Sequence, residues 1–285
     1  MKLSIITINY NNKNGLQRTI DSVICQTWKD FEWIIIDGGS TDGSKELIEH
    51  YQKYFSFWCS EKDNGIYNAM NKGVFYSHGD YLLFLNSGDC LHNNQVLFQI
   101  FRNDINADVI YGDMVLDSSE HSIIAHFPEH LTFHFLLCNS IGHPASLIRT
   151  TLLKESGYSE DYRIVSDWYK FIELFRDRKS FRHIDIIIAD FDTTGVSSNN
   201  LTKADNERED VLKKILGDKN YSLVKESIAW QSLYTELFIC GYLKIMKCKG
   251  WRYRLLHIVL RLLNKSCRST QVESETIWCS RVCNG

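Results

Sequence analysis

The chain has 285 residues, 44% of them hydrophobic and 13% aromatic, with only two prolines, so it can bury a sizeable core. Its formal net charge of −3 argues against a generally basic, nucleic-acid-binding protein. Nine cysteines are scattered without a CxxC pair, which favours a reducing, cytoplasmic compartment over a disulfide framework.

The first part of the chain alternates predicted strands and helices. Apolar runs predict strands and apolar residues at helical spacing predict helices. In order, these are Leu3–Ile8, a helix through Leu16 and Val23, Trp33–Ile36, a helix through Leu47 and Tyr51, Phe57–Ser60, a helix Ile66–Val74, Tyr81–Leu85, a helix Val96–Phe101 and Asp108–Tyr111. We place the N-cap of the second helix at Asp42 or Ser44. This α/β alternation is typical of a mostly parallel sheet flanked by helices.

Polar segments follow four of the predicted strands. They are Asn9–Asn12, Asp37–Asp42, Asp63–Gly65 and Asn86–Asp89. The strand before the last of them, Tyr81–Leu85, is apolar throughout and should be buried on both faces at the centre of the sheet. Because the carboxyl ends of parallel strands share one edge, these segments should converge on a ligand site there.

Two of these segments carry carboxylates that admit two interpretations. Glycines beside Asp37 would let a ligand approach the backbone, and Asp37 could accept from a base or ribose hydroxyl; alternatively it caps an ordinary turn. Asp89 could hold Mg²⁺ or Mn²⁺ on a diphosphate, because phosphates and water complete such a shell. Alternatively, Asp89 caps the helix that follows.

The middle of the chain, residues 113–195, is less regular, and the rest is predicted to be helical. The predicted elements are a hairpin of Met114–Leu116 with Ile123–Phe127, a strand Ala145–Ile148, a helix beginning near Ser166 or Asp167, a strand Arg182–Ala189, and a helical face through Val211, Leu212, Ile215 and Leu216.

Several ordered motifs carry a resemblance to a known family. They are Ser4-Ile5-Ile6-Thr7-Ile8-Asn9-Tyr10-Asn11, Asp21-Ser22-Val23, Ile36-Asp37-Gly38-Gly39-Ser40-Thr41-Asp42-Gly43, Asp63-Asn64-Gly65-Ile66-Tyr67-Asn68-Ala69-Met70-Asn71-Lys72-Gly73, Asn86-Ser87-Gly88-Asp89, Gly142-His143-Pro144-Ala145 and Ser166-Asp167-Trp168. Up to about residue 195 the chain resembles family 2 glycosyltransferases of the GT-A fold, of the bacterial surface-polysaccharide type. We therefore divide it into a GT-A domain, 1–200, with a nucleotide-sugar-binding half 1–112 and an acceptor and catalytic half 113–200, and a helical extension, 201–285.

The resemblance implies a hexosyltransferase that uses a nucleotide-sugar, with UDP as the expected nucleotide, and inverts the anomeric centre. The expected acceptor is a lipid-linked saccharide in surface polysaccharide synthesis, of the O-antigen or capsule type. In this family Asp37 would contact the uracil or ribose, and Asp63 and Lys72 would lie near the base and the sugar-phosphate. The implied donor site comprises Thr7, Asn9, Tyr10, Asp37, Gly38, Asp63, Lys72, Asn86, Ser87 and Gly88.

The same resemblance implies the metal and the catalytic base. Asp89 matches the metal-binding Asp of the family's DxD motif, but Ser87 stands at its first acidic position, so metal affinity without nucleotide should be weak. Asp167 matches the catalytic Asp, which takes the proton of the attacking hydroxyl; alternatively it caps a helix. His143 could contact pyrophosphate, acceptor or metal, or be structural, and Trp168 could stack on an acceptor sugar.

Two rival functions stay open on the sequence. Ser87 and Ser166 replace residues that are usually acidic in the family, which is compatible with an inactive nucleotide-sugar-binding scaffold. A nucleotidyltransferase on a related sheet would favour a first loop rich in Gly and basic residues, which Asn9–Asn12 lacks.

Residues 237–272 form a basic, amphipathic segment without an acidic residue. Apolar residues at 255, 256, 259, 262 and 263 form a helical stripe, which suits a helix lying on an anionic membrane surface. We therefore expect a peripheral protein at the inner face of the cell membrane, or alternatively a basic helix packed on its own catalytic domain. No run reaches the roughly 18 apolar residues of a membrane span.

Overall fold

The computed structural model describes residues 2–102, 106–117, 122–193 and 201–246; in the last helix, side chains are described over residues 202–226. The chain divides into two compact units, Met1–Val211 and Leu212–Gly285. All elements belong to the first unit except the last helix, of which only the part up to Val211 does.

The described residues contain nine strands, eight α-helices and two short 3-10 helices, Gln52–Tyr54 and His143–Ala145. The strands are β1 Leu3–Asn9, β2 Phe31–Asp37, β3 Phe57–Ser60, β4 Tyr81–Phe84, β5 Cys90–Leu91, β6 Val109–Asp117, β7 Ser122–Ala125, β8 Ser146–Arg149 and β9 Phe181–Asp192. The helices are α1 Lys13–Ile24, α2 Ser44–Tyr51, α3 Ile66–Tyr76, α4 Val96–Phe101, α5 Phe133–Cys138, α6 Thr150–Ser156, α7 Ser166–Arg176 and α8 Leu201–Met246.

The strands form one mixed sheet in the order β3-β2-β1-β4-β8-β6-β9-β5, with β7 paired to β6. The four strands from the first part of the chain are parallel, with β1 between β2 and β4. Strand β8 is antiparallel to both β4 and β6, and β9 is parallel to β6. The predicted α/β fold is confirmed. Its parallel strands, β1 to β4, come from the first part of the chain, where predicted strands and helices alternate.

The core lies on both sides of the central strands. Every residue of β1 and β4 is buried, as the apolar run predicted for β4. Helix α3 packs so closely on β1 that a Cβ at Gly73 would lie 2.4 Å from Ile6 Cγ2. Gly73 therefore permits the close approach of helix and strand.

Two predicted local features differ from the structure. The predicted hairpin exists, with Met114 opposite Ala125, but the predicted strand Asp108–Tyr111 and the first hairpin strand are one continuous strand, β6. The N-cap of α2 is Gly43, at φ 89°, and not Asp42 or Ser44. Asp42 nevertheless accepts a hydrogen bond from the Ser44 amide at 3.1 Å, because the left-handed glycine leaves it just outside the first turn.

Helix α8 confirms the helical prediction for Leu201–Met246, with a break at Gly217. The amphipathic stripe of the basic segment lies outside the described residues. Within the part of the chain that the structure describes, no helix is both long and apolar enough to cross a bilayer.

Candidate active site

The polar cluster at the carboxyl ends of β1 and β2 is centred on Asp37. This side chain is fully buried, and its Oδ1 accepts hydrogen bonds from Asn9 Nδ2 at 2.7 Å and Ser40 Oγ at 2.5 Å. Its Oδ2 accepts from the Ser40 amide at 2.9 Å and Ser60 Oγ at 2.6 Å. Burial raises the pKa of Asp37, but the bonds from Ser40, Ser60 and Asn9 outweigh burial and lower its pKa overall.

Both carboxylate oxygens of Asp37 are occupied within the protein, as its interpretation as a turn cap requires, and its contact with a base or ribose stays a prediction. It caps the turn that follows β2, through the Ser40 amide, and it also gathers groups from β1 and β3. Asn9 Oδ1 is buried without a hydrogen-bond partner among the described residues. Asp37 therefore orders this corner of the sheet edge, and Asn9 leaves one unsatisfied acceptor there.

A second group of predicted residues lies beside Gly38. A Cβ at Gly38 would lie 2.6 Å from Asp63 Oδ2 and 3.2 Å from Tyr10 Cδ2, so all three residues are adjacent. Tyr10 is 67% exposed and Asp63 is partly exposed, with Oδ1 accepting from the Gly65 amide at 2.9 Å. The structure thus brings together an exposed aromatic ring and a carboxylate beside Gly38.

Two other residues of the predicted donor site, Lys72 and Thr7, form contacts with other protein side chains. Lys72 Nζ forms a 2.7 Å ion pair with Glu61, and this hydrogen bond raises the pKa of Lys72. Thr7 is fully buried and its Oγ1 accepts from Trp33 Nε1 at 3.1 Å. The Thr7 hydroxyl is thus occupied in the core, and this placement does not support its lining a pocket.

The turn after β4 forms hydrogen bonds with a side chain of α1, Thr19. Thr19 Oγ1 accepts from the Gly88 amide at 3.0 Å and donates to the Asp89 carbonyl at 2.8 Å. Ser87 contributes backbone contacts: its carbonyl accepts from Asn12 Nδ2 at 2.9 Å. Asp89 is 3% exposed, and Oδ1 accepts from the Asp192 amide at 3.1 Å.

Asp89 does not cap a helix. It is followed by strand β5, and the N-cap of α4 is Gln95. Burial raises the pKa of Asp89 to about 7, against hydrogen bonds from backbone amides that lower it. A nearby positive charge would reverse this shift, since an opposite charge favours the ionised carboxylate.

The fit of this turn to a divalent cation can be tested on its oxygens. Among the described residues, no group of three or more His, Cys, Asp or Glu side chains is placed to hold a metal ion. A hard cation on a diphosphate needs few protein oxygens, however. Asn86 Oδ1 is buried and has no hydrogen-bond partner within the described ranges. Amide and carboxylate oxygens are ligands that Mg²⁺ and Mn²⁺ accept. Asn86 Oδ1 and the Asp89 carboxylate therefore fit a divalent cation on a diphosphate.

Asp167 lies in the first turn of α7. Its Oδ1 accepts a hydrogen bond from Tyr67 Oη at 2.7 Å, and no hydrogen bond to Oδ2 occurs among the described residues. The N-cap of α7 is Val165, and it makes no side-chain capping bond, so Asp167 is not the N-cap. Arg163 extends from the same segment back over the donor side, where its Nη1 donates to the Asn64 carbonyl at 2.5 Å.

His143 and Trp168 are both buried. His143 Nε2 lies 2.8 Å from Tyr158 Oη, and burial lowers its pKa although the charge of Asp167 raises it. Trp168 is 1% exposed, donates to the Leu136 carbonyl at 2.6 Å and is covered by Arg208, whose guanidinium lies 4.8 Å from the ring centroid. This placement is against stacking on an acceptor sugar, because neither face is open.

Several residues that complete the site were not predicted from sequence. They are Arg18, Ser40, Ser60, Tyr67, Tyr158, Arg163, Asp192, Glu207 and Arg208. Ser40 and Tyr67 stand inside the quoted motifs, so spacing could have flagged them. The others come from distant parts of the chain and have no local signal.

Comparison with known proteins gives a consistent result. The family model described as "Glycosyl transferase family 2" matches residues 4–145. An uncharacterized glycosyltransferase of Mycobacterium tuberculosis strain CDC 1551 is 32% identical over 212 residues, covering 69% of this chain and 77% of the relative. A PGL/p-HBAD biosynthesis glycosyltransferase of Mycobacterium bovis BCG is 29% identical, covering 70% of this chain and 79% of the relative.

Two solved structures share the fold. Staphylococcus aureus TarS 1-349, in complex with UDP-GlcNAc, has a TM-score of 0.62 at 18% identity and covers 76% of this chain. The chain spans 66% of that fragment, just under two thirds of its length. The mannosyltransferase PcManGT of Pyrobaculum calidifontis, in complex with GDP-Man and Mn²⁺, has a TM-score of 0.61 at 12% identity, covering 94% of this chain and 82% of that one.

Proposed function

Because the chain belongs to glycosyl transferase family 2, we propose that it transfers a sugar from a UDP-sugar to a hydroxyl of a lipid-linked saccharide, with inversion at the anomeric carbon. It is a glycosyltransferase; the donor, the acceptor and the stereochemistry are the proposed part. The observation that carries the proposal is Asp167, whose Oδ1 is held by Tyr67 while Oδ2 has no hydrogen-bond partner among the described residues.

The donor is proposed to lie against the edge formed after β1, β2 and β3. Tyr10, Gly38 and Asp63 are adjacent there, and the Asp37 cluster fixes the loops that carry them. Tyr10 offers an exposed ring to a base, and Asp63 offers a carboxylate to its polar edge or to the ribose. UDP is the proposed nucleotide, and the solved neighbour TarS was obtained with UDP-GlcNAc.

The chemistry needs one base and one means of offsetting charge. We propose that Asp167 Oδ2 takes the proton of the acceptor hydroxyl as its oxygen attacks the anomeric carbon. The bond from that carbon to the diphosphate breaks, and its electron pair leaves with the phosphate. Asp89 and Asn86 would hold Mn²⁺ or Mg²⁺, which when bound offsets the negative charge of the diphosphate.

The acceptor proposal rests on the sequence of the last part of the chain. The basic segment 237–272 would bring the chain to an anionic membrane surface, where lipid-linked saccharides are found. A role in surface polysaccharide synthesis and a peripheral location at the inner membrane face are proposed on this basis. The relative from Mycobacterium bovis is named for PGL/p-HBAD biosynthesis, and that name concerns the relative.

A donor screen tests the nucleotide. UDP-, GDP- and dTDP-sugars are added with and without Mn²⁺ while the melting temperature is followed, because a ligand that binds only the native state raises it. We expect the largest rise with a UDP-sugar plus Mn²⁺, and slow release of UDP. A rise with GDP-Man alone would contradict the UDP proposal, and donor binding without any release or transfer would favour the inactive scaffold.

Replacing the proposed base tests the mechanism. Asp167→Asn should lower turnover by about 10²–10⁴-fold while donor-induced stabilisation is kept, because the amide cannot accept the proton. Asp177→Asn is the matched control: this exposed aspartate follows the opposite end of the same helix. Wild-type turnover in Asp167→Asn would remove Asp167 as the base.

A further inference from the structure

The segment that carries Asp167 is fixed by side chains of α3. Asn71 forms two hydrogen bonds to the Tyr158 backbone, donating to its carbonyl at 2.9 Å and accepting from its amide at 2.8 Å. Asn68 Nδ2 donates to Glu160 at 3.0 Å. Asn68 and Asn71 follow Tyr67 by one and four residues, and the four-residue spacing places Asn71 on the same face of α3 as Tyr67.

The start of α8 holds the same segment from another direction. The Glu207 carboxylate accepts from the Arg163 amide at 3.0 Å and from the Ile164 amide at 2.8 Å. The backbone just before α7 is therefore bound on two sides. A side chain that reaches Asp167 from α3 meets a carboxylate whose position is already restricted.

Tyr67 is that side chain. It is 4% exposed, and its ring lies 5.7 Å from that of Tyr158. Its hydroxyl oxygen lies 2.7 Å from Asp167 Oδ1 and also 2.7 Å from the Ile164 carbonyl. The hydroxyl has one proton, and an ionised carboxylate is the stronger acceptor of the two.

Tyr67 remains a donor throughout the working pH range. Burial and the negative charge of Asp167 raise its pKa well above the ordinary value for tyrosine. The neighbouring Tyr158 is also buried, but its hydroxyl lies 2.8 Å from His143 Nε2. Of these two neighbouring tyrosines, Tyr67 is the one whose hydroxyl is bonded to the carboxylate.

We propose that Tyr67 is a positioning residue for the transfer reaction: its hydroxyl holds Asp167 Oδ1 and so directs Oδ2 toward the acceptor hydroxyl. This inference rests on the proposed function, in which Asp167 is the base. Tyr67 does not touch the reacting atoms. It fixes the rotamer of the carboxylate, so that the proton of the acceptor arrives on one defined oxygen.

The substitution Tyr67→Phe tests the proposal because it removes only the hydroxyl. We expect kcat to fall roughly 10–100-fold with the donor KM within about twofold of wild type, since a small misplacement of a base costs rate and not donor binding. The matched control is Tyr81→Phe. Tyr81 is 7% exposed at the start of β4, and its hydroxyl donates to the Ala107 carbonyl at 2.7 Å.

A double substitution separates positioning from general loosening. In the Asp167→Asn background, Tyr67→Phe should have no further effect on kcat, because the two residues act as a unit. A tenfold further loss would overturn the proposal, as would an equal fall of kcat in Tyr81→Phe. Stabilisation by the donor shows whether each variant is folded. If Tyr67→Phe does not fold, Tyr67→His replaces it in the test, because histidine keeps a ring and a hydrogen-bond donor. Tyr67→His should then retain a higher kcat than Asp167→Asn.

The possible failures are distinguishable. If Asp167→Asn is inactive and Tyr67→Phe keeps wild-type kcat, the positioning role is wrong and the base stands. If Asp167→Asn keeps wild-type turnover, the base assignment is wrong and the role of Tyr67 falls with it.

Discussion

Asp37 uses both carboxylate oxygens inside the protein. Its four hydrogen bonds come from Asn9, Ser40 and Ser60, so the loops after β1, β2 and β3 are tied to a single buried charge. An aspartate in this environment organises a ligand site by fixing the residues around it. The adjacent Asn9 Oδ1, which lacks a partner among the described residues, is better placed to be satisfied by a ligand.

Replacing Asp37 by Asn should therefore weaken donor binding through disorder of its partners. The new amide group would face the Ser40 amide or the Ser60 hydroxyl, leaving a donor unpaired at a cost of about 1–3 kcal/mol. We expect the donor Kd, measured by titration calorimetry, to rise about tenfold or more. Asp21→Asn, an exposed aspartate on α1, is the control; an equal loss in both variants would contradict the role of Asp37.

Asp113, on β6, is another buried carboxylate and has no part in the proposed chemistry. It is 3% exposed and accepts hydrogen bonds from His183 Nε2 at 3.1 Å, His126 Nδ1 at 2.5 Å and the Phe127 amide at 3.0 Å. Burial raises the pKa of Asp113, but the hydrogen bonds and the charge of His183 outweigh it and lower its pKa overall. Its ionised form thus stabilises β6 and the chain leading out of β7.

This gives a pH dependence of stability with a defined sign. Because the folded-state pKa of Asp113 is lowered, its contribution is present above the unfolded value of 3.8 and is lost as the pH falls through the lower folded value. Asp113→Asn should lower the melting temperature at pH 7, and the difference from wild type should shrink toward pH 3. Melting curves of Asp185→Asn, an exposed site on β9, serve as control; a pH-independent difference would contradict the assignment.

At the scale of elements, α3 connects the two halves of the site. It begins directly after Asp63–Gly65 on the donor side, packs on β1 through Gly73, and presents Tyr67 and Asn71 to the segment that carries Asp167. Its position therefore affects both the loop of the proposed donor site and the orientation of the proposed base, Asp167.

Gly73→Ala should displace this helix. The added Cβ would lie 2.4 Å from Ile6 Cγ2, and overpacking of this kind costs typically about 1–3 kcal/mol, partly offset by the better helix propensity of alanine. We expect a lower urea midpoint and a lower kcat. Phe75→Ala, two residues along the helix at a 73% exposed position, should leave both nearly unchanged. A Gly73→Ala protein as stable as wild type would show that α3 is not held tightly on β1.

At the scale of the whole molecule, the catalytic unit takes in the beginning of the last helix. Glu207 binds the backbone before α7, and Arg208 covers Trp168, so residues that the sequence assigned to an extension contact the segment that carries Asp167. The first compact unit ends at Val211, whereas the domain division predicted from the sequence falls at residue 200 and stays a prediction. A division at 200 would separate Asp167 from one of its supports.

The basic segment 237–272 is expected to bind the full chain to anionic membranes. Lys247→Gln with Lys249→Gln should weaken binding to vesicles rich in anionic lipid about tenfold or more, since each basic residue near such a surface contributes about 1 kcal/mol. Lys45→Gln with Lys53→Gln, two exposed lysines of the catalytic unit, removes the same charge and is the control. Vesicle flotation measures both; equal losses, or binding insensitive to salt, would contradict a surface role for this segment.

The sequence by itself determined the parallel half of the fold and the positions of Asp37, Asp63, Asp89 and Asp167 at or near the ends of strands or the start of a helix, because strand and helix periodicity is local. It could not determine that Thr7 and Trp168 are buried and form hydrogen bonds within the core, since burial depends on what packs against them. Only the tertiary structure brought Tyr67 to Asp167, one hundred residues apart in the chain. Side-chain hydrogen bonds at such separations leave no periodic pattern, because they depend on how sheet and helices are stacked in space.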